Sequence, residues 1–333
     1  VRASQKGNVL VVADQGQLAQ AQDSWDGQVV GLGSRYQLYG FQSQASFHPK
    51  LIIRIGQESG AVWVGSANLT FGGWSVNQEL GTSWLFGPGQ EDGGAWLGPV
   101  LSSLEDQSIT PRTSVLLDRI RREPWVETIR VSEPDENTPL QTNFDGESLA
   151  AKMTRRWDGR QLTSVRLTTG STDRSGAWLR RLHEIFGVEE ATVLTEAGRC
   201  SFDPSALGEL PLDVEVLASQ SDMPRPMHAK FFWFDGPDGP AAVFGSANCS
   251  AAAWLNGPAD RGNVEGVVFY DDPDPTDFEE LLQLFEGEVE KIELAPAEEP
   301  QDQYHEPHTD LRVVSIGWEA ANAPLFVHFS RPI

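Results

Sequence analysis

The stretch HPKLIIRIGQESGAVWVGSANLT, residues 48–70, returns as HAKFFWFDGPDGPAAVFGSANCS at residues 228–250. His48 and Lys50 fall on His228 and Lys230, and Gly65-Ser66-Ala67-Asn68 falls on Gly245-Ser246-Ala247-Asn248, at a constant offset of 180 residues. Trp74 and Trp254 keep that offset; an insertion of six residues then shifts it, and Asn77-Gln78-Glu79 matches Asn263-Val264-Glu265. So many polar identities in fixed register mark an internal duplication, and a repeat decides architecture before any local reading does.

Working outward, LIIRI and AVWVG flank the turn GQESG, while FFWF and AAVFG flank DGPDGP, so each copy predicts a buried hairpin with its polar residues at the ends. Another strand follows each (ELGTSWLF; EGVVFY), then a helical stretch (GAWLGPVLSSLED; DPTDFEELLQLFEG, with Asp277 as an N-cap). Before His228 the pattern is strand, amphipathic helix and strand (TSVRLTTG, GAWLRRLHEIFG, EATVLTEA). Before His48 only the counterpart of the last strand stands, NVLVVAD, which suggests an internal piece of a longer protein. The expected division is a first lobe at 1–110, N-terminally incomplete, a connecting segment at 111–162 with a helix at SVLLDRIRREPW, a second lobe at 163–295, and an acidic linker with a β-hairpin at 296–333, which opens another domain. The fold class is α/β.

Composition bounds the function. A chain of 333 residues with 39% hydrophobic residues and 11 Trp buries a sizeable core, and at roughly 100–200 residues per domain it predicts two domains. No apolar run approaches the length of a membrane span and the N-terminus lacks a signal-peptide layout. Cys200 and Cys249 stand alone, with no CxxC and no His at metal spacing, so no disulfide framework or metal site is expected, and a reducing cytoplasm is the expected compartment. The net charge of −23 opposes a polyanionic partner. Its distribution weakens that objection, because 15 acids against one Lys between Asp271 and Asp310 account for −14, whereas 13 basic against 10 acidic residues from Arg112 to His183 give +3.

The repeated polar residues suit phosphoryl chemistry. Cleaving a phosphodiester needs an attacking group, a proton donor for the leaving oxygen and positive charge on the equatorial oxygens. Two His, two Lys and two Asn supply all three. In an H-x-K strand the His and Lys share a face, because side chains alternate with period two, and the Gly-Ser-x-Asn turn sets a hydroxyl and an amide beside them. Ser and Asn also make turns without any chemistry. Trp74 and Trp254 read as core, Cys249 as a packed residue, Arg119, Arg121 and Arg122 as a solvated helix face, and His305 and His308 as exposed.

The doubled H-x-K with G-S-x-N downstream resembles the phospholipase D superfamily, over residues 1–110 and 163–290. The form with N-x-E beyond it is most similar to the nuclease-type members of prokaryotic defence and restriction systems. The resemblance implies two mixed-sheet α/β/α lobes packed as a pseudo-twofold intramolecular dimer with one site between them. It implies a metal-independent phosphodiesterase without cofactor, in which one His attacks phosphorus and the other protonates the leaving group, here His48 and His228 in that order, with Lys50, Lys230, Asn68, Asn248, Glu79 and Glu265 as further catalytic residues. Ser66 and Ser246 are expected on the substrate phosphate. The family's Asp stands at Asp235, where a D-G turn is an equal account, but Ile55 occupies the first copy's position. Glu79 and Glu265 are then candidates to orient the histidines, a strand-end role being the alternative. The expected substrate is DNA or RNA, with a protein partner or further domains (a helicase or translocase) supplying affinity and no membrane involved. A phospholipid phosphodiesterase, or a non-catalytic nucleic-acid-binding or scaffold module, are the rival readings.

Overall fold

The apolar runs of the two repeat copies become two antiparallel three-stranded units related by a pseudo-twofold. The computed structural model describes residues 8–23, 32–70, 72–90, 93–107, 111–130, 137–196, 198–219, 227–287, 289–292 and 294, and the backbone of 312–318 and 325–330. In the first lobe β1 (Leu10–Asp14), α1 (Gln15–Asp23) and β2 (Gln37–Phe41) form a parallel pair with its crossover. Then β3 (Leu51–Ile55), β4 (Gly60–Gly65) and β5 (Gly81–Phe86) form an antiparallel sheet. Helices α2 (Leu97–Asp106), α3 (Pro111–Arg121) and α4 (Pro124–Arg130) pack together beside it, burying Trp96, Leu97, Val100, Leu101, Trp125 and Val126.

The connecting segment contributes to both lobes. After α4 the chain enters β6 (Leu140–Thr142), which pairs antiparallel with a second-lobe strand, and α5 (Leu149–Arg156), whose N-cap Ser148 accepts the Ala151 N–H at 3.2 Å. The second lobe continues with β7 (Ser164–Thr168), α6 (Ala177–Phe186), β8 (Glu190–Thr195), α7 (Pro204–Gly208), β9 (Asp213–Ser219), β10 (Phe231–Asp235), β11 (Ala241–Gly245), α8 (Ala251–Trp254), β12 (Gly266–Asp271) and β13 (Val289–Lys291). Its sheet has eight strands in the order β13-β9-β8-β7-β10-β11-β12-β6. β7, β8 and β9 run parallel; the remaining pairs are antiparallel. The helix expected before β13 is a run of short turns from Pro275 to Phe285, capped by Asp274, not Asp277, through the Thr276 N–H, because Pro275 fills the first helical position. The hairpin β14 (Arg312–Trp318) and β15 (Leu325–Ser330) forms as expected, while His305 and His308 lie outside the described residues. Among the described residues no helix is long and apolar enough to cross a membrane.

The run FFWF is apolar at every position because β10 is covered on both faces. Phe232 and Phe234 face the core under α5, α6 and α8, with Trp157, Trp178 and Trp254. Phe231 and Trp233 face the other lobe, joining Val62, Val64, Phe41 and Phe86 from the first-lobe strands. The inner face of each sheet is therefore roofed by its symmetry mate, and the aromatic layer between the sheets holds the lobes together. Two parallel bridges cross the boundary, Phe47 to Val264 and Gln78 to Met227, with His48 N–H donating to the Val264 carbonyl at 2.9 Å and His228 N–H to the Gln78 carbonyl at 3.0 Å. Arg156 and the Trp157 indole clamp Asp271, and Arg160 takes Asp272, so the first acids of the acidic segment tie the connection to β12.

Trp178 stacks on Trp254 at 4.5 Å with an interplanar angle of 3°, both wholly buried. Trp74, the repeat counterpart of Trp254, leans instead on Trp63 of β4 at 5.2 Å and 38°. Trp178→Ala should cost about 3–5 kcal/mol in urea unfolding, as expected for a buried aromatic. Trp74→Ala, at a half-buried position, should cost roughly half as much.

Candidate active site

Strand and turn geometry deliver the repeated side chains to one place. Gly65 and Gly245 precede the serines where neighbouring strands close in: a Cβ would lie 2.4 Å from the Leu80 carbonyl at Gly65 and 2.4 Å from the Gly266 carbonyl at Gly245. That approach lets Ser66 N–H donate to Leu80 at 2.8 Å and Ser246 N–H to Gly266 at 3.0 Å. The serine hydroxyls turn inward, accepting the N–H of Leu80 (2.9 Å) and Gly266 (3.0 Å) and donating to Glu79 (2.5 Å) and Glu265. Both serines are wholly buried. Their expected role on the substrate phosphate is thereby corrected, because each hydroxyl proton is spent on a carboxylate.

Those carboxylates reach across the boundary. Glu265 accepts from His48 Nδ1 at 3.0 and 3.1 Å, and Glu79 accepts from His228 Nδ1 at 2.7 Å. A carboxylate can only accept, so each bond fixes a proton on Nδ1 and leaves Nε2 as the basic nitrogen of the neutral ring. Asn77 and Asn263 each donate to the Glu two residues on, at 3.2 and 3.0 Å. Lys50 and Lys230 each donate to the carbonyl of the His two residues before, both at 2.7 Å. Each ammonium has three donors, so two remain for a ligand.

The electrostatics confirm that these groups form one cluster. Burial lowers the pKa of both histidines, opposed by the partner carboxylate, and each feels both Lys50 and Lys230. Burial pushes Lys50 down to about 8 and Lys230 to about 7, the latter further depressed by Lys50. Burial works to raise the two glutamates, but His228, Ser66 and Lys230 around Glu79, and His48, Lys50 and Ser246 around Glu265, outweigh it and leave both below the usual range. The site is thus a buried pair of anions beneath two histidines and two lysines, with its cationic side available to a phosphate.

Three further residues complete the site. Asn248 Oδ1 accepts from Gly170 N–H at 3.2 Å and Thr169 Oγ1 at 3.4 Å, which fixes the orientation of its amide. A Cβ at Gly170 would sit 3.1 Å from Lys230 Nζ and 3.4 Å from the His228 ring, so glycine keeps this edge open. Asn143, in the connection and wholly buried, accepts Glu265 N–H at 2.7 Å and donates to the Asn263 carbonyl at 2.7 Å. Asn77 and Asn263 were visible as part of N-x-E in both copies; Asn143 has no repeat partner and carries no sequence signal. Asp235 binds Arg166 at 3.0 Å and the Trp233 indole at 2.9 Å, and is 46% exposed at the strand's far end. Both histidines take a glutamate instead, so the structure gives Asp235 no orienting role. Arg119 meets Asn8 and Arg121 pairs with Glu105. Cys249 is packed, its thiol pushed up by burial.

Cross-lobe pairing has a direct readout in the imidazole NMR titrations. Glu265→Gln removes the group that raises the His48 pKa, so His48 should titrate lower while His228 moves little; Glu79→Gln should do the reverse. Pairing within each lobe would exchange these effects. Asn143→Ala strands the buried Glu265 N–H and Asn263 carbonyl and should cost about 1–3 kcal/mol on thermal or urea unfolding.

No family model and no curated protein sequence matches the chain. Among solved structures it is similar to polyphosphate kinase from Porphyromonas gingivalis (TM-score 0.47, 13% identity), covering 84% of this chain and 38% of the kinase, so it spans well under half of that protein. It is also similar to yeast tyrosyl-DNA phosphodiesterase (TM-score 0.47, 13% identity, 79% of this chain and 78% of that one). A mutant of the yeast enzyme gives TM-score 0.49 at 14% identity, with 79% and 76% covered.

Proposed function

We propose that this chain is a phosphodiesterase of the phospholipase D type that cleaves nucleic acid through a covalent phosphohistidine without a metal, serving a prokaryotic defence or restriction system. The observation that carries this reading is the reciprocal exchange of carboxylates, His48 with Glu265 and His228 with Glu79, which engages Nδ1 of both imidazoles in one cluster with two buried lysines.

In the first step His48 Nε2 attacks phosphorus, the bond to the leaving oxygen breaks, and His228 Nε2–H gives that oxygen its proton. Lys50, Lys230 and the amide donors of Asn68 and Asn248 hold the equatorial oxygens as charge gathers there. In the second step His228 takes a proton from water, the water oxygen attacks phosphorus, and the P–N bond breaks with its electron pair returning to His48. Attack is assigned to His48 because its carboxylate is the more firmly held: Glu265 is wholly buried and bound by Ser246, Asn263 and, through its backbone, Asn143. The acidic stretch from Asp271 onward opposes a long polyanion, so a protein partner or further domains, such as a helicase or translocase, would supply affinity.

Labelled single- and double-stranded DNA and RNA should be cut in EDTA while short-chain phosphatidylcholine is left intact. Turnover of the lipid alone, or loss in EDTA restored by Mg²⁺, overturns the reading. His48→Ala and His228→Ala should each lose roughly 10³-fold or more in turnover. With a nitrophenyl phosphodiester, whose leaving group needs no acid, His228→Ala should still accumulate phosphohistidine and His48→Ala should not; label on His228 reverses the assignment.

The pH profile follows from the shifts. The attacking His must be neutral and the acid His protonated, and both pKa values lie below the ordinary 6.5, so kcat/KM should form a bell centred on the acid side of that value. Above neutrality the fall should steepen as Lys230 and Lys50, at about 7 and about 8, give up their protons. A profile flat to pH 9 would contradict the roles given to these lysines.

A further inference from the structure

The site has a rim as well as a buried centre. β7 and β8 run parallel and β10 runs antiparallel to β7, so the ends of β7 and β8 and the start of β10 lie along one edge of the sheet. His228 and Lys230 stand just before β10, and Gly170 lies two residues beyond β7, against both of them. The carboxyl ends of parallel strands are where ligands collect in α/β sheets. The chain leaving β8 at this same edge makes a tight turn, closed by Arg199 N–H donating to the Glu196 carbonyl at 3.0 Å.

That turn is stitched to the site on both sides of Arg199. Before it, Thr195 Oγ1 donates to the Thr169 carbonyl at 3.2 Å; after it, Ser201 N–H donates to Thr172 Oγ1 at 2.8 Å. Residues 169–172 are the stretch whose Gly170 lies against Lys230 and donates its N–H to Asn248. The turn therefore holds Arg199 beside the cationic side of the site, and its charge is felt there: burial and Lys50 lower the Lys230 pKa, and Arg199 lowers it further. Arg199 is a cation from outside the repeated motifs. Its side chain is 35% exposed and pairs with Glu196 at 2.6 Å, with no second protein acceptor among the described residues.

We propose that Arg199 binds the phosphate next to the scissile one, so that the site takes a polynucleotide strand in preference to an isolated phosphodiester. This inference rests on the phosphodiesterase reading and names the substrate feature that the rim selects. A phosphodiester carries one negative charge, and the two buried lysines already answer it at the centre. A half-exposed cation at the edge adds little to that group and is placed for a second anion that remains partly in water. Arginine suits that task, because its planar fork of N–H donors takes two phosphate oxygens at once and never loses its charge. A five-donor guanidinium also keeps its link to Glu196 while it binds, so the side chain is held in place before substrate arrives. A strand of nucleic acid supplies a neighbouring phosphate at every step, whereas a phosphatidylcholine has a single one.

Chromogenic esters in matched pairs test the rim. Thymidine 5′-(4-nitrophenyl phosphate) carries one phosphate and its 3′-phosphorylated form carries two; a second pair exchanges the two positions. In at least one pair the two-phosphate ester should have a kcat/KM about tenfold above its partner, chiefly through KM. Arg199→Gln should bring that ratio close to one, and Arg199→Lys should leave it between the two. A native ratio near one in both pairs overturns the inference, as does a ratio that survives Arg199→Gln. An equal loss on both members of a pair also overturns it, since that places Arg199 on the scissile phosphate or in the fold. A chain that turns over none of these esters and no labelled nucleic acid overturns the phosphodiesterase reading instead. Calorimetry then decides the inference separately. Thymidine 3′,5′-bisphosphate should bind about tenfold more tightly than thymidine 5′-monophosphate, and Arg199→Gln should level the two; equal binding by the native chain, or a difference that outlasts the substitution, overturns it.

Discussion

Each repeated imidazole is oriented by a carboxylate from the opposite lobe, His48 by Glu265 and His228 by Glu79, and the rest of the structure serves that exchange. Neither lobe alone holds a complete His–Glu pair, so docking of the two halves and assembly of the site are one event. The parallel bridges at Phe47–Val264 and Gln78–Met227 explain why the exchange is exact in register. The residue before each His pairs beside the residue before each Glu, which carries the two side chains to the same point. A slip of one residue would turn both off the site, since side chains alternate along extended chain.

The polar centre is costly to bury. Burial pushes Lys50 down to about 8 and Lys230 to about 7, the latter depressed further by Lys50, and an unpaired buried charge is among the larger penalties a protein carries. Two features offset it. The glutamates beneath supply opposite charge, themselves saturated by Ser66, Asn77, Ser246 and Asn263. The aromatic layer between the sheets, with Phe41, Phe86, Phe231, Trp233 and Phe244, supplies apolar burial that forms only when the lobes meet. The charge that resists burial is the charge a phosphate would need.

Much of this was legible in the sequence because duplication turns weak motifs into strong ones. The repeat gave the hairpins, the third strands and the twelve polar residues of the two motifs from His48 to Glu265. What spacing cannot reveal is partnership across a symmetry axis: Glu79 lies 31 residues after His48 and 149 before His228, yet it binds the distant one. The serines were misjudged for a related reason, since a hydroxyl beside an active site binds substrate or a neighbouring carboxylate according to which is nearer in three dimensions. Asn143 was invisible because it belongs to neither copy, and Asp235 misled because its motif position is right while its partners, Arg166 and Trp233, are structural.

Asn143 and Gly170 lie outside the repeated stretches, and under the proposed mechanism they are what would make a symmetric pair of histidines differ. Covalent catalysis requires one imidazole to attack and the other to carry the proton, but a perfect twofold would leave the choice open. Asn143 breaks the symmetry on the His48 side, fixing Glu265 through its backbone, with no counterpart bound to Glu79 among the described residues. Gly170 breaks it on the His228 side, at a β7 terminus that brings Asn248 and Lys230 up to the ring. Both residues lie in chain outside the repeated stretches, one in the connection and one two residues beyond β7. The repeats supply the polar residues twice over, and under the proposed mechanism the unrepeated segments would assign their roles.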